Sequence, residues 1–381
     1  MKPSLVSGER FYSLNEAELI KELFTKASQI FESYGYEYII LSHFEPYEFQ
    51  ELAFGEKAKE AITFKDSATK ETLSLRLDFT TQVVRTVSLF HNLKLPERLY
   101  YFGNTFSLSG ENYEKLQAGL ELLGVPNLKG DLEIVEILYE YLRSLGFKKL
   151  KVIISHAQIV PKLAQGDEEK RKAFYDRNYE ELKKLLKEKA ELFLRVIEQE
   201  RELEVLKEFG LEEEVKTLTE FGKALRERGI PFLYDLCEVR DFPYYDGVIF
   251  EIYDEESKRS LAGGGRYDKL TKLYGKEMPA TGGAIYLEKL LDLLDKKTPK
   301  KDYYLIDKTG KGLGRELANV LRGKGKRVAL ELLDRSPEVS IKFAFEKGFK
   351  EVLLLEDGVL KVYTTPKDFV VMHLKDFLKL L

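Results

Sequence analysis

Leu75-Arg76-Leu77-Asp78-Phe79-Thr80-Thr81-Gln82, followed by Tyr100-Tyr101-Phe102-Gly103-Asn104-Thr105-Phe106 and Gln117-Ala118-Gly119-Leu120-Glu121, places charged and amide groups inside apolar runs. Aromatic and aliphatic residues give these runs strand propensity, so the first reads as a polar strand segment. Arg76, Asp78, Gln117 and Glu121 are costly in a buried sheet unless each is paired. Such groups belong either to structural ion pairs or to a site that recognises a small polar ligand.

Outward from this stretch, Ser13-Leu14-Asn15-Glu16 forms a capping box. Leu19, Ile20, Leu23, Phe24, Ala27, Ile30 and Phe31 then recur at helical spacing, and Gly35 ends the helix. A strand is expected over Tyr38–Leu41. A hairpin follows, with Ala61–Phe64 and Thr72–Leu75 facing each other across a polar turn. Thr80 to Leu95 reads as a helix, Leu99–Phe106 and Leu116–Leu123 as neighbouring strands, and Asp131 opens a helix closed by Gly146. From about 161 to 228 the composition shifts to Glu, Lys and Leu without a strand-like run, which predicts a helical insertion with solvated charged faces. Strands resume over Phe232–Val239 and Val248–Tyr253, and Ala262-Gly263-Gly264-Gly265-Arg266-Tyr267-Asp268 is expected to break into a helix. Helices mixed with antiparallel runs predict an α+β fold.

After the lysine-rich 296–301 linker the pattern changes. Tyr303–Ile306, Arg327–Leu330 and Glu351–Leu355 alternate with helical segments, the signature of a small C-terminal α/β domain over 301–381, distinct from residues 1–300. Gly310-Lys311-Gly312-Leu313-Gly314 lies where a phosphate loop would, but its spacing is not that of a nucleotide fingerprint and it reads as a plain turn.

With 381 residues and 44% hydrophobic content the chain is globular, and its net charge of −4 offers no global attraction to nucleic acid. The lone Cys237 excludes a disulfide framework and reads as a small buried hydrophobe in a reducing compartment. No run is apolar enough to span a bilayer and no secretory segment precedes the fold, so a cytoplasmic protein is expected. His43, His91, His156 and His373 lack metal-ligand spacing, and no nucleophile sits beside a base. Neither a metal nor a cofactor is expected.

Four clusters remain: Arg76/Asp78/Thr80, Gln117/Glu121, Arg240/Tyr244/Tyr245 and Gly263 to Asp268. Asp78 and Glu121 can hold an ammonium, Arg240 a carboxylate, and Gln117 with tyrosine hydroxyls a small polar ring. These are the groups an amino-acid pocket needs.

Residues 1 to about 295 resemble class II histidyl-tRNA synthetases and their paralogue, the regulatory subunit of ATP phosphoribosyltransferase. Leu75–Thr80 is similar to the segment that binds the histidine amino group, and Gln117–Gly124 to the end of the second class motif. Val239–Tyr245 and Gly264–Asp268 are similar to the two histidine-specific signatures. The resemblance implies a class II antiparallel sheet with flanking helices, and a histidine pocket lined by Asp78, Thr80, Gln117, Glu121, Arg240, Tyr244, Tyr245 and Tyr267. It also implies a homodimer core, carried by the first helix and the 38–41 strand, although the usual proline is replaced by Ser42.

Departures from the synthetase pattern fall on the nucleotide side. Phe106-Ser107-Leu108-Ser109 stands where an arginine and a glutamate grip ATP, Glu111 and Asn112 replace a basic residue, and Tyr286 and Lys289 stand in the third class motif, where Lys289 replaces its closing arginine. Lysine does not substitute for a stacking, bidentate arginine. Asp241 and Pro243 also depart from the histidine signature. The resemblance therefore implies a non-catalytic regulatory subunit that keeps the histidine pocket, has lost amino-acid activation, and serves a short-form catalytic subunit under feedback by histidine. A divergent histidyl-tRNA synthetase is the alternative, with tRNA binding disfavoured by the acidic charge; a free-standing amino-acid sensor is a third reading.

Overall fold

The computed structural model describes residues 6–90, 93–187, 190, 203–238, 242–296 and 301–380. These fall into two compact units, one formed by residues up to 12 and from 19 to 295, the other by 13–18 and from 296 onward.

The larger unit is built on an eight-stranded sheet. Its strands are β1 (Glu37–Tyr38), β5 (Glu97–Phe106), β6 (Glu114–Leu123), β7 (Leu150–His156), β8 (Phe232–Tyr234), β9 (Val248–Asp254), β10 (Arg259–Arg266) and β11 (Ala280–Tyr286). They are ordered β1-β5-β6-β11-β10-β9-β7-β8, and all pair antiparallel except β1 with β5 and β7 with β8. A separate three-stranded sheet, β2-β4-β3, joins β2 (Phe44–Pro46), β3 (Thr63–Lys65) and β4 (Thr72–Leu75), so the expected hairpin is present.

Period-two alternation along β5 and β6 decides where the site lies. Tyr100, Ala118, Leu120 and Leu122 join a core with Leu19, Leu23 and Phe31 of α1 (Leu14–Ser33) and Ile134, Leu138 and Tyr141 of α4 (Leu128–Ser144). Leu99, Tyr101 and Leu123 face the other way, in a cluster with Ala53 and Phe54 of α2 (Tyr47–Phe54), Phe79, Val83 and Val84 of α3 (Phe79–Ser88), and Tyr244 and Tyr267. Gln117, Gly119 and Glu121 share that second face, opposite Gly103, Tyr101 and Leu99.

Several sequence expectations are corrected. Leu75–Gln82 is not one strand: β4 ends at Leu75, and Asp78 caps α3 by accepting the Phe79 N–H at 2.8 Å. A carboxylate at a helix N-terminus answers both the orphan donors and the dipole, which a mid-strand aspartate does not. The 80–95 helix stops at Ser88, with His91 outside the described residues. Strand 38–41 shrinks to β1, and strand 232–239 to the three residues of β8. The helix expected at Asp131 begins at Leu128 because Asn127 caps it through the Lys129 N–H. β7 gave no sequence expectation at all.

Gly263–Gly265 is likewise no break. It lies within β10, paired to β9 and β11 on both sides, and the helix begins only at Asp268. These strands approach so closely that a Cβ on Gly264 would meet the Gly282 carbonyl oxygen at 2.0 Å and the Gly283 Cα at 2.6 Å. Among the described residues five helical segments lie between Ile159 and Glu227, around a core that buries Phe174, Leu182, Leu206 and Leu218.

The smaller unit holds a sheet ordered β13-β12-β14-β15-β16, from β12 (Tyr303–Asp307), β13 (Val328–Leu330), β14 (Glu351–Glu356), β15 (Val359–Tyr363) and β16 (Phe369–Met372). The first three are parallel, as their helical connections predict; the last two are an antiparallel addition the sequence reading omitted. In the glycine-rich loop the Gly314 N–H is bound by Asp307 Oδ2 at 2.7 Å. A carboxylate already occupies the position a phosphate would need, in keeping with a plain turn.

Gly264→Ala is expected to lower the unfolding free energy, read from urea denaturation, by more than the ~1–3 kcal/mol usual for overpacking, because backbone atoms cannot swing aside. Gly323→Ala, with open space around it in helix Leu313–Gly323, is expected to be neutral or stabilising by up to ~1 kcal/mol.

Candidate functional site

Between the second face of the sheet and the start of α3 lies a cavity of about 580 Å³. Its size is within the range of small-molecule sites, ~300–1,000 Å³. Asp78, Thr80, Gln117, Tyr244 and Tyr245 line it, together with Tyr101, Glu251 and Gly263.

Asp78 enters from the α3 cap. One carboxylate oxygen accepts the Phe79 N–H and the other accepts the Tyr244 hydroxyl at 2.6 Å. Burial raises its pKa, against which those donors work. Tyr244 is held by a stack on Phe242, centroids 5.4 Å apart, and an edge contact with Tyr267 at 6.0 Å. Phe79 stacks on Tyr101 at 4.1 Å, packing the start of the capped helix against β5.

Glu121 and Tyr267 do not line the cavity but stand behind its wall. Glu121 is buried, taking the Thr80 hydroxyl at 2.7 Å and the Tyr267 hydroxyl on its other oxygen. A Cβ at Gly282 would overlap Glu121, so the glycine makes room for the carboxyl. Burial pushes the Glu121 pKa up to about 8, despite the hydroxyl donors. Glu121, expected from the sequence as an ammonium ligand, is placed to position Thr80 and Tyr267 through their hydroxyls, with burial favouring its neutral form.

Arg76 is also reassigned. Its guanidinium lies 3.8 Å over the Phe79 ring and donates to the carbonyls of Asn104 at 2.7 Å and Ser42 at 2.9 Å. It ties the three-stranded sheet to β5 and stays out of the cavity. Arg240 lies outside the described residues, as does Asp241. Tyr101 and Glu251 were missed in the sequence. Glu251 carries the same signal as Glu121, a charge within an apolar strand.

The opposite end of the cavity is where the departures fall. Ser107 shares a 2.6 Å hydroxyl contact with Ser109 and donates to Glu60 at 3.0 Å. Lys289 lies 4.4 Å over the Tyr286 ring, and Glu288 accepts the Leu116 N–H at 3.2 Å and the Tyr12 hydroxyl at 3.1 Å. No arginine lines this cavity among the described residues. Cys237 is buried with its thiol pushed up to about 12, and burial lowers His156 to about 4, so both are core groups. Among the described residues no cluster of His, Cys, Asp and Glu is arranged to hold a metal, and no helix is long and apolar enough to cross a membrane.

The Glu121 shift has a sign. The unfolded chain releases this proton near 4.5 and the folded chain only near 8, so its contribution to stability is complete below about 4.5 and is lost as pH rises to about 8. Glu121→Gln is expected to flatten the stability-versus-pH curve between pH 5 and 8, read from urea midpoints; an unchanged slope would show that Glu121 is ionised in the folded chain.

The histidyl-tRNA synthetase family model matches residues 8–290. The chain is 60% identical over its full length and that of its relative to an ATP phosphoribosyltransferase regulatory subunit from Aquifex aeolicus. It is 30% identical to a histidine–tRNA ligase from Pyrobaculum calidifontis, covering 94% of this chain and 93% of that one. In fold it is similar to a Bacillus halodurans structure described as an ATP phosphoribosyltransferase regulatory subunit/histidyl-tRNA synthetase, with a TM-score of 0.79 at 23% identity, covering 93% and 99% of the two chains. A class II histidyl-tRNA synthetase-like sheet, a cavity keeping Asp78, Thr80 and Gln117, and full-length identity of this degree lead to one assignment: the chain belongs to the ATP phosphoribosyltransferase regulatory subunit family.

Proposed function

We propose that this regulatory subunit, without catalysis of its own, binds histidine in the Asp78 cavity and relays end-product inhibition to a short-form catalytic ATP phosphoribosyltransferase subunit in the cytoplasm. Asp78 takes the ammonium, while Gln117 and the tyrosine hydroxyls read the imidazole. Thr80, Glu121 and Tyr267 hold the wall, and the carboxylate is left to Arg240, which the resemblance assigns to it and which lies outside the described residues. A homodimer of the larger unit forms the core of the complex. The observation that carries this reading is Asp78, a buried carboxylate on a helix cap that opens onto a polar cavity. At the far end of that cavity no arginine is present among the described residues to grip a triphosphate.

Inhibition requires histidine to bind one state of the complex better than another, and a coupling of ~1–3 kcal/mol suffices. Because burial raises the Asp78 pKa, an incoming ammonium must stabilise the ionised form. Affinity should therefore weaken as pH falls through the raised Asp78 value, and Asp78→Asn should abolish that dependence.

Isothermal titration with histidine tests the reading. Wild type is expected to bind, and Asp78→Asn to lose about 10–100-fold, the ~1.5–3 kcal/mol of a charged hydrogen bond. Absence of heat for wild type, alone and with the catalytic subunit, overturns the proposal. The 30% identity to a histidine–tRNA ligase keeps one other reading in play, and histidine-dependent ATP–pyrophosphate exchange by the purified chain would establish it.

A further inference from the structure

Arg177 follows the helix Glu168–Tyr175 in a left-handed conformation, φ 52°. A non-glycine residue holds that conformation at a cost, which the surroundings must offset. Here the Arg177 N–H donates to the Phe174 carbonyl at 3.1 Å, and the guanidinium reaches Asp235 at 2.7 Å and Glu238 at 3.2 Å. Asp235 is itself fixed, its N–H donating to Ile154 of β7 at 2.9 Å and its carboxylate accepting the Cys237 N–H at 3.1 Å. Leu236 and Cys237, between the two carboxylates, are buried in the same core as Phe174.

Both ends of this arrangement reach the ligand cavity. Tyr175, two residues before Arg177, and Glu238 line its wall on the side of the helical insertion. Without the guanidinium, two carboxylates three residues apart would repel and the turn joining them would lose its tie to the insertion. The Arg177 side chain is 46% exposed, so the ion pairs themselves contribute little to global stability. Their effect lies in geometry, because one side chain fixes the insertion helix, the end of β8 and a carboxylate of the cavity wall together.

We infer that Arg177 is a positioning residue for the ligand site. It sets Tyr175 and Glu238 at the cavity wall without contacting the ligand, and so makes the helical insertion part of the binding unit. The inference rests on the histidine reading of the cavity.

The test uses the full chain and the variant Arg177→Asn, since asparagine tolerates the left-handed backbone and removes only the cation. Histidine Kd by titration is expected to rise at least about fivefold, as the loss of ~1 kcal/mol of wall ordering requires. Arg177→Lys should restore most of the affinity. Arg171→Ala, which removes an exposed pair with Glu168 in the same insertion, should leave Kd unchanged. Amide exchange over 235–238, read without ligand, is expected to quicken in Arg177→Asn and recover in Arg177→Lys, while the urea midpoint stays near wild type. Wild-type affinity in Arg177→Asn, or equal weakness of the Asn and Lys variants, overturns the inference and leaves the histidine reading intact. If wild type binds no histidine, both fall.

Discussion

Two carboxyls, Asp78 and Glu121, are buried on one face of a sheet, and the arrangement around them follows from keeping them there. Desolvation pushes both toward the neutral form, so each must be met by donors fixed in advance. For Asp78 those donors are the first amide of α3 and the Tyr244 hydroxyl; for Glu121 they are the Thr80 and Tyr267 hydroxyls. The glycines of β10 and β11 let the strands close up and leave the volume that Glu121 fills. Arg76 then locks the small sheet to β5, so the cap cannot drift from the strands it faces.

That constraint separates groups that face the cavity from groups that hold others in place. Asp78, Thr80, Gln117, Tyr244 and Tyr245 open onto the cavity, whereas Glu121, Tyr267 and Arg76 act through them. At the other end, Glu60, Ser107, Ser109, Tyr286 and Lys289 partner one another instead of presenting guanidinium groups. An amino acid needs only the first end of such a cavity. A triphosphate needs several charge-assisted contacts at the second.

The helical insertion joins the same economy of contacts. Its charged faces are solvated, as the composition implied, but its inner edge contributes Tyr175 to the cavity and Arg177 to the turn beyond β8. The insertion is thus tied to the cavity wall through one ion-paired residue.

Residue type and period by themselves determined much of this protein. The Ser13–Glu16 capping box, the β5–β6 pairing, the parallel strands of the smaller unit and the burial of Cys237 follow from local patterns that tertiary packing did not override. So did the partnering of the polar residues of 75–121, because charge within apolar runs demands partners wherever the chain goes. Only the tertiary structure decided which of those residues face the cavity and which stand behind its wall. Arg76 and Glu121 read like Asp78 in one dimension; a face of a sheet, a stacked ring and a neighbouring glycine assign them different work. Likewise Gly263–Gly265 reads as a break until β9 and β11 flank it, since glycine weakens an isolated strand but is required where backbones approach closely. Distance in space, set by strand order, carried information that spacing along the chain could not.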